Sequence, residues 1–373
     1  MSFIEFYTKA VTENLLENYH DAYNLIKLAK NYISNDYEKL QYYNHFYKIL
    51  IKLQYKHKAE KILEKISLSS FDWNVTNQAL DQMSLYVESI NKYSVKKMKI
   101  NCPTPENYHI SSPSILKNNH GYRFNLRAIN YVYTKDGDYI SRDADRIVRT
   151  KNYVIDTDNQ FNINNMFEIQ EAEDFAIYPC HVMGMEDVRL FDNYFLCTRL
   201  DSTIDHHPKM CLGDFKNMKI LNYGNMGTEK NWLPIADNNE NYIIYSFHPF
   251  VVYKLNVNTG ELSPYINKTI NKYNLKSFRG SGVPIKYKNG YLCTVHQVYY
   301  HKKRKYFHRL VWMSENFTEI KYSKMFYFDK IGVEFNLGIA MHPDGLIFTY
   351  SVDDNHATLS IIDYNTIDDM LFL

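Results

Sequence analysis

The sequence predicts an α+β chain whose two classes are segregated: an all-α helical domain over residues 1–102, then a five-bladed β-propeller over residues 103–373. Three observations predict it. All 13 glycines and all 10 prolines lie at or after Pro103, so the first 102 residues lack the two strongest helix breakers. Beyond Pro103 the chain changes to short alternating runs separated by turns, the texture of a sandwich, barrel or propeller. The 271 residues from 103 to 373, divided into four-stranded blades of about 50 residues, give roughly five blades.

In the N-terminal part, Tyr23, Ile26, Tyr32 and Ile33 recur at helical spacing, as do Tyr43, Phe46, Ile49, Leu50 and Leu53. Asn35 with Glu38 three residues on is a capping pattern, and Ser70 or Asp72 precedes a further apolar run. About five helices are expected, as α-hairpins around residues 21–50 and 50–92. Pro103, Pro105 and Pro113 mark the junction. Strand runs follow, among them Tyr242-Ile243-Ile244-Tyr245, Gly290 to Val295 and Leu346 to Tyr350. Lys135-Asp136-Gly137-Asp138, Asn258-Thr259-Gly260, Lys288-Asn289-Gly290 and Pro343-Asp344-Gly345 supply the turns.

Composition narrows the function. The 43 Lys+Arg against 42 Asp+Glu leave a net charge of +1, which gives no global field for a polyanion, so nucleic acid is not an expected partner. The five cysteines are scattered and never spaced C-x-x-C, so neither a zinc site nor a disulfide framework is expected, and a reducing compartment follows. The start of the chain lacks a basic segment followed by an apolar one, and no run approaches a membrane span. A soluble, cytoplasmic protein is expected.

Five polar clusters stand at places that read as strand ends. Glu186-Asp187-Val188-Arg189 sets two carboxylates and an arginine ahead of a strand, either an acid with orienting partners or a capped turn with a surface ion pair. Lys230-Asn231-Trp232-Leu233-Pro234 offers an anion or sugar-hydroxyl site beside a stacking indole, or else a hydrophobic plug with surface charge. In Arg279-Gly280-Ser281-Gly282-Val283-Pro284 two glycines allow close backbone approach to a ligand, although the G-K-[ST] of a phosphate loop is absent and a simple turn explains it as well. His296 and Tyr306-Phe307-His308-Arg309 face each other across a hairpin with the basic tip Tyr300-His301-Lys302-Lys303-Arg304-Lys305, which reads as solvated turn charge. Asp353 and Asp354 close the series and read as a turn.

In this order the clusters resemble the β-mannoside phosphorylases of glycoside hydrolase family 130, and the related β-1,2-mannosyltransferase/phosphorylase family 108. The family's Glu-Asp-Pro-Arg resembles Glu186-Asp187-Val188-Arg189, and its Lys-Asn before a proline resembles Lys230 to Pro234. Its glycine-rich turn is similar to Arg279 to Ile285, and its Tyr-His and Tyr-Arg strands to Thr294-Val295-His296 and Tyr306 to Arg309. Glu334 to Gly338 resembles its Glu-x-x-Gly, and Tyr350 to Asp354 its closing Tyr-Gly-x-x-Asp. The similarity spans roughly residues 110–365. Val188 stands in place of a proline, and Ser351 in place of a glycine.

The resemblance implies a five-bladed propeller that makes or breaks a glycosidic bond by inverting phosphorolysis or glycosyl transfer on mannose-like sugars. Phosphorolysis needs one acid, because phosphate is already anionic; a cationic clamp replaces the second carboxylate of a hydrolase. Asp187 is the expected acid, its proton relayed through a sugar hydroxyl. Lys230, Arg279, His296, His308 and Arg309 are the expected clamp, with Tyr306 completing it and Trp232 stacking on the sugar; Glu186, Arg189 and Asn231 complete the substrate-binding set. No cofactor or metal is expected, only inorganic phosphate or a sugar 1-phosphate as co-substrate. The alternative is a non-catalytic glycan-binding propeller, with the helical domain binding a protein or a second copy.

Overall fold

The computed structural model of the chain describes residues 2–69, 73–134, 138–221, 227–269, 275–301 and 303–372. The cap expected at Ser70 or Asp72, the Lys135-Asp136-Gly137 part of a turn, and Lys302 lie outside these described residues. The chain divides into two compact units, one of residues 1–87 with 272–277 and one of residues 88–271 with 278–373.

The first unit carries α1 (Phe3–Leu15), α2 (Tyr19–Ala29), α3 (Asp36–Lys52), α4 (Lys56–Ser69) and α5 (Trp73–Met83). Ser2 and Glu5 form a capping box at α1. At α3 the Asn35 side chain accepts the Glu38 amide at 2.9 Å, while Glu38 accepts the amide and hydroxyl of Ser34. These contacts satisfy amides that the first helical turn leaves without partners. Phe6, Ala10, Ala22, Ile26, Tyr42 and Ile49 are buried together, with Tyr23 and Phe46 packed against them. No helix among the described residues is long and apolar enough to cross a membrane.

The helices end earlier than expected. Ser94–Lys99, inside the segment expected to be all-α, is a β-strand. Lack of glycine and proline excludes breaks but does not choose helix over strand, and an edge strand needs neither residue.

The second unit is a propeller-like arrangement of antiparallel sheets. The first sheet runs His109–Lys117, Tyr122–Ile129, Val148–Thr157 and Ile163–Glu168, with Val182–Met183 added alongside. The second runs Glu186–Phe191, Tyr194–Arg199, Lys209–Gly213 and Met218–Ile220. Leu233–Asp237, Glu240–Phe247, Phe250–Leu255 and Leu262–Lys268 make the third. The last has Glu334–His342, Gly345–Val352 and His356–Ile362, with Ser94–Lys99 supplied as its outer strand.

These four sheets follow the four-stranded blade pattern; the sheet between the third and the last does not. It has seven strands, built on the twelve-residue pair Gly290–His301 and Lys303–Ser314. Strands of that length have room for more partners: Arg279–Gly280 and Ile285–Tyr287 share one flank, and Ile320–Tyr322 and Phe326–Tyr327 the other. The expectation of five four-stranded blades is therefore corrected to four such blades, with one larger sheet that departs from the pattern.

Apolar layers fill the spaces between sheets. Ile115, Phe124, Ile347 and Leu359 join the first sheet to the last, Phe191, Leu196, Trp232 and Ile243 the second to the third, and Trp312, Phe328, Ile339 and Phe348 the larger sheet to the last. The leading strand of the second sheet touches those of the first, third and last. Their ends therefore gather in one place, and that is where the polar clusters lie.

Candidate active site

Glu186 opens the leading strand of the second sheet, and a register shift follows before Arg189. A bulge of this kind lifts residues out of the ladder, and Asp187 takes a left-handed backbone with φ of 52°. Asn231, Asp353 and Asp354 share that conformation, at 65°, 53° and 52°. Asp and Asn tolerate it better than other side-chain-bearing residues, and strained polar residues of this sort collect at functional sites.

Arg127, on the second strand of the first sheet, is 5% exposed. Its guanidinium donates to Glu186 Oε1 at 2.6 Å and stands 3.5 Å from Asp187 Oδ1. Burial opposes its charge, but Tyr131, Glu186, Asp187 and Asp354 around it raise its pKa. Burial also works to raise the Glu186 carboxyl, yet Arg127 and Lys230, whose Nζ is 3.7 Å from Glu186 Oε2, hold it below the ordinary range.

Asp354 behaves differently. Burial, with Asp187 and Glu186 adding to it against Arg127, pushes its carboxyl up to about 6. Tyr131 donates to its Oδ2 at 3.4 Å. Three carboxyl groups thus surround one arginine, and one of them is held where it takes up a proton near neutral pH.

Arg189 locks the backbone of this site. Fully buried, it donates to the carbonyls of Asp187 at 3.1 Å, Ser281 at 3.2 Å and Gly280 at 3.4 Å. A Cβ on Gly280 would stand 2.1 Å from the Asn231 carbonyl oxygen. The main chains at Asn231 and Gly280 are therefore in contact, Arg189 ties those of Asp187 and Gly280 together, and Lys230 and Arg279 depart from positions next to them. Arg279 donates to the Tyr300 hydroxyl at 2.8 Å and pairs across strands with His296, whose ring stacks on Tyr306 at 5.6 Å. Burial raises the Tyr306 phenol and the Asp354 charge raises it further.

The structure thus brings Glu186, Asp187, Lys230, Asn231, Arg279, His296 and Tyr306 into one cluster. Four expected roles are corrected. Trp232 is 1% exposed, its indole N–H donating to Glu229 at 3.1 Å, so it packs between sheets and presents no face to a sugar. Arg189 is spent on backbone carbonyls and positions the site without binding substrate. Arg309 is fully buried, donating to Gln297 at 2.8 Å and to the Ser323 carbonyl at 2.9 Å. Neighbours on a strand point to opposite faces, so Arg309 could not share a clamp with His308. His308 is itself buried against Phe326 and Phe328, where burial holds its pKa at about 3 and leaves it uncharged. His296 is neutral too, through burial and then through Arg279, His308 and Arg189. Of the five expected clamp residues, Lys230 and Arg279 remain as cations at the site.

The glycines of Arg279-Gly280-Ser281-Gly282 serve packing: a Cβ on Gly282 would meet Asn336 Oδ1 at 2.4 Å and Thr294 Oγ1 at 2.6 Å. Arg127 and Asp354 are the site residues that sequence reasoning missed. Asp353, by contrast, pairs with Lys330 in its turn as expected, while the next residue joins the acids. Among the described residues, no group of three or more His, Cys, Asp or Glu is placed to hold a metal ion.

No protein-family model and no curated protein matches the chain. Solved structures similar to it include the β-1,2-mannobiose phosphorylase of Listeria innocua, 15% identical over 73% of this chain and 95% of that one, with a TM-score of 0.48. A putative glycoside hydrolase of Parabacteroides distasonis is 11% identical over 73% and 94%, with a TM-score of 0.49. A mannose phosphorylase of Leishmania mexicana, solved with phosphate ion, is 11% identical over 78% and 93%, with a TM-score of 0.48.

Proposed function

We propose that the chain is a carbohydrate-active enzyme that makes or breaks a glycosidic bond, by inverting phosphorolysis or glycosyl transfer on mannose-like sugars. One observation carries this reading: Glu186, Asp187 and Asp354 surround the buried Arg127, while Lys230 and Arg279 leave the backbone beside them. Carboxyls supply the proton for the leaving oxygen, and the two cations hold a phosphate or sugar phosphate. Asp187 is the proposed acid, with its proton relayed through a sugar hydroxyl. Glu186, held ionised by Arg127 and Lys230, binds sugar hydroxyls together with Asn231. His296 and Tyr306 supply neutral hydrogen-bonding groups.

A second assignment has its own support. Asp354 keeps a proton up to about pH 6, and a donor must hold its proton near the working pH, so Asp354 is the alternative acid.

The test is incubation with mannose 1-phosphate and a panel of sugar acceptors, scoring phosphate release. Release that depends on one acceptor supports the enzyme. If no sugar phosphate is turned over while a sugar alone raises the melting temperature, the protein is a glycan-binding propeller instead.

A further inference from the structure

Glu334 begins the leading strand of the last sheet and is fully buried. No cation pairs with it among the described residues; its carboxylate is satisfied by backbone. Oε2 accepts the Phe328 amide at 2.8 Å, and Oε1 accepts those of Asp329 at 2.7 Å and Lys330 at 2.8 Å. Three successive amides folded onto one side chain fix the main chain of the loop before it. A buried carboxylate is costly unless its lone pairs are filled, so this loop and this side chain define each other.

The loop reaches the site from two directions. The Gly332 carbonyl accepts the Tyr306 amide at 2.8 Å, and the Val333 carbonyl accepts the Asp353 amide at 2.7 Å, one residue before Asp354. Lys330 pairs with Asp353 from the same loop. Asp329 latches the loop on its far side, accepting Asn91 Nδ2 at 2.7 Å and the Tyr350 hydroxyl at 3.1 Å, while Phe328 stacks on Tyr350 at 4.2 Å. Tyr306 and Asp354 belong to different sheets, and the loop is bonded to the strand of one and to the turn of the other.

We propose that Glu334 is a positioning residue of the site: by gathering the amides of Phe328, Asp329 and Lys330 it fixes the loop whose Gly332 and Val333 carbonyls place Tyr306 and Asp354 relative to each other. In its link to turnover this rests on the proposed glycosidic function. The structural half stands without it. A Glu334→Gln substitution keeps size and one acceptor but turns an NH₂ group toward backbone N–H donors, so at least one of the three bonds is lost.

Amide hydrogen exchange on wild type and Glu334→Gln tests the structural half. Exchange should speed up about tenfold or more at Phe328, Asp329 and Lys330, and also at Tyr306 and Asp353, as for hydrogen bonds opening together. The exposed Glu319→Gln should change none of them. Faster exchange in the loop with Tyr306 and Asp353 unchanged overturns the proposal, as does no change anywhere. Should Glu334→Gln fail to fold, wild type alone decides: the five amides should open as one unit, and separate opening of Tyr306 or Asp353 refutes the coupling. On a sugar phosphate that wild type turns over, Glu334→Gln should lower kcat about tenfold or more with KM changed by less than about threefold, because misplacement weakens the transition state more than the ground state. A rise in KM alone would also refute it. Absence of any wild-type turnover refutes the enzymatic reading, and the exchange result still decides Glu334.

Discussion

At the scale of single residues, the site turns on which carboxyl carries the proton. Asp187→Asn keeps size and shape but delivers no proton, so turnover should fall by about two orders of magnitude or more while sugar binding survives. Retained activity in that variant, with loss in Asp354→Asn, would assign the acid to Asp354. The pH behaviour separates them further. An unfolded Asp ionises near 3.9, whereas folded Asp354 holds its proton to about 6. Between those values the folded chain binds a proton that the unfolded chain releases, so this group's contribution to stability is present below about pH 4 and lost as pH rises through 6. Asp354→Asn should flatten that part of the stability–pH curve, and should remove any limb near pH 6 from the activity profile. Unfolding midpoints at several pH values measure the first, and initial rates the second. Asp354 was hidden because the pair Asp353-Asp354 reads as turn chemistry, and only packing divides the two. Arg127 was legible: in Arg123-Phe124-Asn125-Leu126-Arg127-Ala128 every polar residue falls on one face of the strand. A polar face inside a sheet buried on both sides signals a site or a network.

At the scale of elements, Glu186 and Asp187 open the leading strand of the second sheet, Lys230 lies just before that of the third, and Arg279 begins a short flanking strand of the larger sheet, so the turn before each strand makes these positions legible. The errors came from residues inside strands. His308 and Arg309 fall in one expected group although a strand turns consecutive side chains apart, and Trp232 reads as either a stacking platform or a plug, of which packing selects the plug. Arg309 should then behave as a structural residue. Arg309→Leu should lower stability by about 1–3 kcal/mol, because Gln297 and the Ser323 carbonyl lose their partner, and should leave the KM for phosphate near wild type. A selective rise in that KM would restore Arg309 to the clamp. Gly280 gives the complementary case. A methyl added at Gly280 would meet the Asn231 carbonyl oxygen and the Leu233 side chain, so Gly280→Ala would force the larger sheet away from the third where Asn231 and Arg279 meet. Overpacking of this kind costs about 1–3 kcal/mol, and here activity should fall along with the denaturation midpoint. Loss of neither would mean that the main chains at Gly280 and Asn231 are not in contact.

At the scale of the whole molecule, the propeller-like unit is closed by two distant parts of the chain. Ser94–Lys99 pairs antiparallel with His356–Ile362, so the last sheet gains its outer strand from a segment more than 250 residues earlier. The glycine and proline partition could not show this, because it marks where tight turns begin and a closing strand needs none. Met98 and Ile100 alternate with Lys97 and Lys99, a strand signal, but three lysines in six residues also suit an exposed helix. Joining the two ends of the propeller-like unit within one sheet pairs His356–Ile362 on both sides and couples its unfolding to that of the rest. The consequence is measurable by comparing two shortened chains that both lack the helices, one beginning at Glu88 and one at Asn101. Only the second also loses Ser94–Lys99, which leaves the backbone of His356–Ile362 unpaired on one side. The chain from Asn101 should melt at a distinctly lower temperature, with a shallower transition and a greater tendency to aggregate through the bared strand. Tyr350 and Asp329 belong to the same last sheet and its loop, so its sugar-phosphate turnover should fall as well. Equal melting temperatures for the two chains would mean that the strand decorates the propeller without closing it.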